Sequence, residues 1–338
     1  MNKSLKSYFL VSCLGLAACA KPAATPPPEV APREERAEAP PPARSAAVRL
    51  AESLLAKGDA VGARNKFEEA LGQEPRDARA WLGLGLAHEA LNEPRQADGA
   101  YRRAIEVDPE LAEAHNNLGL LLRDADRLEE AVIELREAVR LDPKLASGQA
   151  NLALALEEAG QGDAALAAYR AAVKLAPKDA MLRANHGLFL LSQEDREGAL
   201  KELRAGLVHG KSDRAALVAL GNGLRRAGAA DEAVRALRGA IAASDGKPTP
   251  ALLSELALAQ NAAGDGAGAR ASLEQALALD DGYATAHYLL GSMDAADGDV
   301  KSARKHYDKC IALEPDGPLA AKAKQKLAAL KKAPRDKR

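Results

Sequence analysis

From Arg44 to Gly317 the sequence repeats itself about every 34 residues, and that period limits the possible folds more than any single motif does. Leu50, Leu84, Leu118 and Leu152 stand one period apart, as do Ala63, Ala97, Ala131, Ala165, Ala199 and Ala233. After two extra residues, Pro248 and Thr249, the register resumes with Leu256 and Ala269, then Leu290 and Ala303. A unit of this length accommodates two helices and a turn, and it buries its apolar side only against its neighbours. Composition points the same way. Apolar residues make up 47% of the chain and aromatics only 3%, so the apolar share is mostly Ala and Leu, which favour helix. β-branched residues are sparse, which argues against a large sheet.

Within the units, residue size follows the repeat. Gly85, Gly119, Gly187, Gly221 and Gly291, with Ala51, Ala153 and Ala257, fall where the first helix of a unit must approach the second. The alanine column from Ala63 to Ala303 fills the matching place on the second helix, and Phe67, Tyr101, Tyr169 and Tyr307 fill the space between units. Gly58, Gly160, Gly228, Gly264 and Gly298, and Asn92 likewise, stand between the two helices where a left-handed cap is wanted. Pro75, Pro109, Pro143, Pro177 and Pro315 stop second helices, and Asp77, Asp179 and Asp213 can cap the helices that follow. The fifth unit departs most: His186 replaces the expected Leu and Lys211 the expected Pro, so this unit and the joint at Pro248 are the expected flexible points.

The pattern Trp81, Leu84, Gly85, Ala97, Tyr101, Ala104, Pro109 and its seven copies resemble the tetratricopeptide repeat (TPR) family. The resemblance implies an all-α fold, a right-handed superhelical solenoid of about eight helix-turn-helix repeats over residues 44–77, 78–111, 112–145, 146–179, 180–213, 214–247, 250–283 and 284–317. A capping helix over residues 318–333, with Leu319, Ala323, Leu327 and Leu330 on one side and lysines on the other, and a basic tail at 334–338 complete the chain.

The N-terminus reads as an address. Lys3 and Lys6 precede a short apolar run ending in Leu16-Ala17-Ala18-Cys19. This resembles the lipobox of bacterial lipoproteins, which implies removal of residues 1–18 and lipidation of Cys19, with acyl groups such as palmitate. Ala20, where Asp would favour the inner membrane, implies the outer membrane of a Gram-negative envelope. Residues 19–43, rich in proline from Pro22 to Pro42, form a tether. At ~3.1 Å per residue, extended polyproline lifts the body roughly 70 Å from the lipid. The body then stands in the periplasm or on the cell surface.

Little in the chain promises chemistry. Basic and acidic residues balance at 47 and 48, which disfavours nucleic acid as a partner. No HExxH, CxxC, GxSxG or phosphate-loop pattern occurs, so no catalytic residue, cofactor, metal or small-molecule substrate is expected. His115 and His287 take the place of Trp81 and read as packing residues. His306 and Cys310 have the spacing of a ligand pair on a helix, yet Cys310 stands where its counterparts are mostly Ala and reads as a small core residue.

In TPR proteins the first helices line a concave groove that takes a protein or peptide ligand. Asn117, Asn151 and Asn185 occupy one inner position in three consecutive units. They resemble the asparagine ladder of the O-GlcNAc transferase TPR region, whose amides grip an extended main chain; Asn is also common there in TPR consensus sequences. Leu120, Leu154 and Leu188 follow three residues on, and form either an apolar strip of the groove or a helix-to-helix packing seam. Asn222, Arg225 and Arg226 make the sixth unit more polar. The expected role is a non-enzymatic scaffold, resembling in design the TPR lipoproteins that pilot secretins of type IV pili or support motility machines. An adaptor for an envelope enzyme such as a peptidoglycan hydrolase is the alternative.

Overall fold

The computed structural model describes residues 45–332, which form seventeen α-helices and, among those residues, no strand. The signal segment, Cys19, the tether and the basic tail lie outside the described residues. The first four units comprise α1 (Ala46–Ala56) with α2 (Ala60–Gln73), α3 (Ala78–Ala90) with α4 (Pro94–Val107), α5 (Ala112–Asp124) with α6 (Leu128–Leu141), and α7 (Ala146–Glu158) with α8 (Gly162–Leu175). The next four comprise α9 (Ala180–Ser192) with α10 (Arg196–His209), α11 (Arg214–Arg226) with α12 (Ala230–Ala242), α13 (Pro250–Ala262) with α14 (Gly266–Leu279), and α15 (Ala284–Ala296) with α16 (Val300–Leu313). Helix α17 (Pro318–Lys332) closes the row. The expected all-α superhelical solenoid is the fold that forms.

The helix ends follow from short polar side chains. Asp77, Asp179 and Asp213 accept hydrogen bonds from the free N–H groups of α3, α9 and α11. Asp59, Asp195, Asp265 and Asp299 do the same for second helices. At the inserted joint Thr249 caps α13, and Pro250 takes the first helical position, where its missing N–H costs nothing. Between the two helices of every unit one residue is left-handed. Glycine serves in five units, and Asn92, Asp126 and Glu194 hold φ of 58°, 59° and 63° in the others.

Packing uses the small-residue columns. All eight alanines from Ala63 to Ala303 are wholly buried. A Cβ added to Gly85 would lie 2.3 Å from the Tyr101 ring, and one on Gly119 or Gly221 would lie 2.6 or 2.7 Å from a leucine of the second helix. In these units hydrogen in place of a methyl leaves room for the bulky residue of the second helix, while Ala51, Ala153 and Ala257 hold the same place elsewhere. First helices of successive units also touch: α1 with α3, α5 with α7, α9 with α11, α11 with α13, and α13 with α15. Successive second helices show no comparable contact. The first helices therefore line the tighter, inner side of the solenoid.

The fifth unit is better packed than the sequence suggests. His186 is buried and stacks on Tyr169, with ring centroids 5.4 Å apart and planes within 14°. A flat imidazole on a phenol ring fills the space that leucine fills elsewhere. At the C-terminal end, α17 buries Ala320 and Ala323 and lays Leu319, Leu327 and Leu330 against Tyr307 and Cys310, while Lys322, Lys324 and Lys326 stay exposed.

Candidate binding groove on the first helices

The residues singled out for the groove all lie on first helices, and each is half-buried: Asn117 and Leu120 on α5, Asn151 and Leu154 on α7, Asn185 and Leu188 on α9, Asn222 on α11. The asparagines do not form three equal rungs. Asn151 Nδ2 donates to Asn116 Oδ1 across 3.0 Å, and Asn116 Nδ2 donates to Asn117 Oδ1 across 3.1 Å. The amides of units three and four are thus tied to one another through Asn116, which is 7% exposed. Asn185 stands apart from this chain and borders a recess.

That recess recurs. Between units four and five it is lined by Leu154, Glu157, Asn185 and Leu188, with Tyr169 of α8 as its floor and a volume of about 180 Å³. Equivalent positions line a recess of about 310 Å³ between units one and two, where Leu82 and Leu86 stand over Phe67. Another of about 270 Å³ lies between units seven and eight, where Leu258 and Leu289 stand over Leu273. Each is a gap between consecutive first helices, floored by the bulky residue of the second helix beneath. Leu86 is 36% exposed, so the leucine strip is open to solvent at the second unit and more enclosed further along.

Tyrosines of the second helices reach the same face. Tyr169 Oη donates to Glu157 across 2.6 Å, and Tyr101 makes the same bond to Glu89. Burial, then the adjacent carboxylate, pushes both phenols far above their ordinary range, so they remain donors. Burial also raises the Glu89 carboxyl. The acids spaced twelve residues ahead of these tyrosines give this pairing a sequence signature that the repeat pattern alone does not reveal. Charge along the face alternates: Glu89, Arg123, Glu157 and Arg225 hold one repeat position in units two, three, four and six.

The histidines act in packing and capping. Trp81 Nε1 donates to the Pro75 carbonyl, and His115 and His287 make the same bond to Pro109 and Asp281. His115 Nδ1 lies 2.7 Å from Glu134. Burial works against its charge, but the bonds to Glu134 and Pro109 outweigh it and raise its affinity for a proton. His306 turns to His287, Nδ1 to Nδ1 at 3.0 Å, and burial lowers its pKa. Cys310 is fully buried and its thiol pKa is raised by burial. Among the described residues no group of three His, Cys, Asp or Glu side chains is placed to hold a metal ion.

Two polar features were missed from sequence. Asn116 and Ser254 share one inner column with Val48, Leu82, Ala150, Ala184, Val218 and Tyr288. A short polar residue in a mostly apolar column is the signal that would have found both. Ser254 Oγ is buried without a hydrogen-bond partner, as are Asn222 Oδ1, Arg225 Nε and Glu255 Oε2 nearby in register.

The pattern of the tetratricopeptide repeat family matches residues 48–94, 86–146, 150–207 and 254–318. Among solved structures the chain is similar to one in the APC/C hetero-tetramer Cut9-Hcn1, at 17% identity and a TM-score of 0.57, over 82% of this chain and 55% of that one. It is also similar to a tetratricopeptide repeat protein from Parabacteroides merdae, at 18% identity and a TM-score of 0.54, over 75% of this chain and 98% of that one. The chain thus spans 55% of the length of the first of these. At such identities the likeness is one of fold. No curated protein matches the sequence.

Proposed function

The chain belongs to the tetratricopeptide repeat family, and from that premise we propose that it is a non-enzymatic scaffold that holds a protein or peptide partner along its first helices. The recess recurring at three joints carries the reading. Gaps between first helices accept apolar side chains from a partner, while the flanking carboxylates and amides supply polar contacts to its main chain. Asn185, Leu154 and Leu188 border the central gap. Asn117 and Asn151 are held in place by Asn116 beside it.

The finer proposal concerns place and process. The Leu16-Ala17-Ala18-Cys19 sequence and the proline-rich stretch after it support an outer-membrane lipoprotein that holds components of an envelope machine of the secretin, pilus or motility type. Lipid on Cys19 would anchor the body at a distance set by the tether.

Photocrosslinking amino acids at positions 117, 151 and 185 test the groove in cells. A discrete adduct from position 185 that is lost with Leu154→Asp and Leu188→Asp supports it. Adducts only from positions on second helices would move the binding surface elsewhere. Membrane fractionation of Cys19→Ala tests the anchor: the body should leave the membrane fraction, and its retention there would remove lipidation from the account.

A further inference from the structure

The three recesses of the inner face share a shape and differ in charge. The recess between units one and two has one acid and one base in its lining, Glu52 and Arg79. The recess between units seven and eight has neither, and its polar lining is Asn261 and Ser292. The central recess, between α7 and α9, has two acids, Glu157 and Glu158, and no base in its lining. Leu154 and Leu188 supply its apolar walls, and Asn185 stands beside them.

The two acids are held in place without being neutralised. Tyr169 Oη donates to Glu157 across 2.6 Å, and a hydroxyl orients a carboxylate without cancelling its charge. Arg123 on α5 lies 2.8 Å from Asp124 and 3.8 Å from Glu158. One guanidinium thus serves Asp124 and Glu158, and Glu157 adds a further acid beside them. Glu158 is 48% exposed and stays open to a second cation, and an exposed contact of this length contributes little by itself. The fold accepts uncharged residues at both places: Leu55, Leu191 and Ala295 stand at the position of Glu157, and Ala56, Ala90 and Ser192 at that of Glu158. An apolar wall with acids at its edge suits a side chain with a hydrocarbon stem and a cationic head. At roughly 30 Å³ per water, the recess of about 180 Å³ admits one such stem and not a helix.

We propose that the recess between units four and five is a specificity pocket for a basic side chain, lysine or arginine, of the bound protein segment. The methylenes lie between Leu154 and Leu188, and the charged head meets Glu157 and Glu158. An acidic side chain is repelled, and an uncharged one desolvates the two carboxylates without a compensating partner. The first recess, with one charge of each sign, and the third, with none, do not share this preference. The groove therefore reads its partner by charge, with a basic residue at its centre and an apolar one between units seven and eight. This inference rests on the reading of the first helices as the binding face, and it adds the charge of the partner to that reading.

The test follows the leucine methyl signals of the purified protein by NMR. The probe is a capped Ala-Lys-Ala peptide, titrated against the same peptide with norleucine or glutamate in place of lysine. Norleucine keeps the stem and drops the charge. The lysine peptide should shift the Leu154 and Leu188 methyls at about five-fold lower concentration than the norleucine peptide. Added salt should narrow that difference, and the glutamate peptide should leave both signals in place. Leu258 and Leu289 should respond to norleucine at least as well as to lysine. Glu157→Gln with Glu158→Gln should abolish the lysine preference, because Gln still accepts from Tyr169 and carries no charge. Unmoved Leu258 and Leu289 signals in the free variant show that it folds; if they move, Glu158→Gln alone, at an exposed position, should reduce the preference by about half. A preference that survives these changes overturns the assignment to the two acids. Equal response to lysine and norleucine overturns the charge preference and leaves the recess as a binding site, so the reading of the first helices stands. Silence of Leu154 and Leu188 toward every peptide overturns the pocket, and the crosslinks from position 185 then judge the first helices separately.

Discussion

Units three and four, and the joint of units six and seven, place polar side chains on the same inner face and treat them in opposite ways. In the first region Asn116 accepts from Asn151 and donates to Asn117, so that three amides are knitted across two units. In the second, Asn222, Arg225, Ser254 and Glu255 each leave a buried polar atom without a partner. Satisfied amides fix the spacing of neighbouring first helices. Polar atoms buried without a protein partner oppose folding. Polar residues on the inner face of this solenoid therefore differ in their effect on the fold, and the hydrogen bonds separate them where residue type alone does not.

The comparison assumes a common frame, and the largest expected effect tests it. Gly119 in unit three and Gly221 in unit six meet leucines of their second helices at nearly the same separation, 2.6 and 2.7 Å for an added Cβ. Gly119→Val and Gly221→Val should each destabilise the protein by about 3 kcal/mol through overpacking, read as equal shifts in urea unfolding. A tolerant site would show that the two regions are not built alike.

The next effect distinguishes them. Asn116→Ala should cost about 1–2 kcal/mol, because it leaves a donor on Asn151 and an acceptor on Asn117 without partners. Asn222→Leu should be neutral or stabilise by about 1 kcal/mol, because it removes an unpartnered oxygen and restores the leucine of other units. A loss of stability at Asn222 as large as that at Asn116 would mean that the sixth unit needs its amide to fold.

A smaller, pH-dependent effect compares His115 with His186, one on either side of unit four. His115 has its proton affinity raised through Glu134 and the Pro109 carbonyl. Its contribution is complete below the ordinary histidine value of about 6.5 and is lost as pH rises through the higher folded value. His186 has its pKa lowered, by burial first, and both ring nitrogens lack partners. Its cost is absent above about 6.5 and grows as pH falls below that value, because the unfolded chain then binds the proton more readily. His115→Gln should flatten the upper limb of the stability profile, and His186→Leu the acid limb. If His186→Leu leaves the acid limb unchanged, another group controls it.

The contrast also explains what the sequence reveals. The alanine column, the close-approach glycines and the capping aspartates are legible because each obeys a local rule of size or hydrogen bonding that recurs with the period. His186 and Asn116 are harder. His186 interrupts a leucine column, and the sequence suggests a loose point, because nothing local announces that Tyr169 of the preceding unit will stack on it. Asn117 and Asn151 invite comparison with a peptide-gripping ladder, yet which amide faces a neighbour and which faces the groove depends on Asn116, one residue before the stripe. Side-chain partners across units depend on superhelical spacing, which the period does not specify.

The smallest effect concerns the turns that set that spacing. The left-handed position between helices is held by glycine on the sixth-unit side, at Gly228 and Gly264, by Asp126 in unit three and by Glu194 in unit five. A Cβ in this conformation costs roughly 1–2 kcal/mol, and Asp offsets part of that through local hydrogen bonding, as Glu with its longer side chain does less well. Glycine escapes the clash but gives up more chain entropy on folding, so the net gain from substitution is smaller than the clash itself. Glu194→Gly should therefore stabilise by about 0.5 kcal/mol, and Asp126→Gly by less, measured as shifts in thermal midpoint. If Asp126→Gly gains more than Glu194→Gly, the turn among the knitted amides is the more strained of the two. Strain would then accompany satisfied side chains, and the division between the two regions would fail at the level of the backbone.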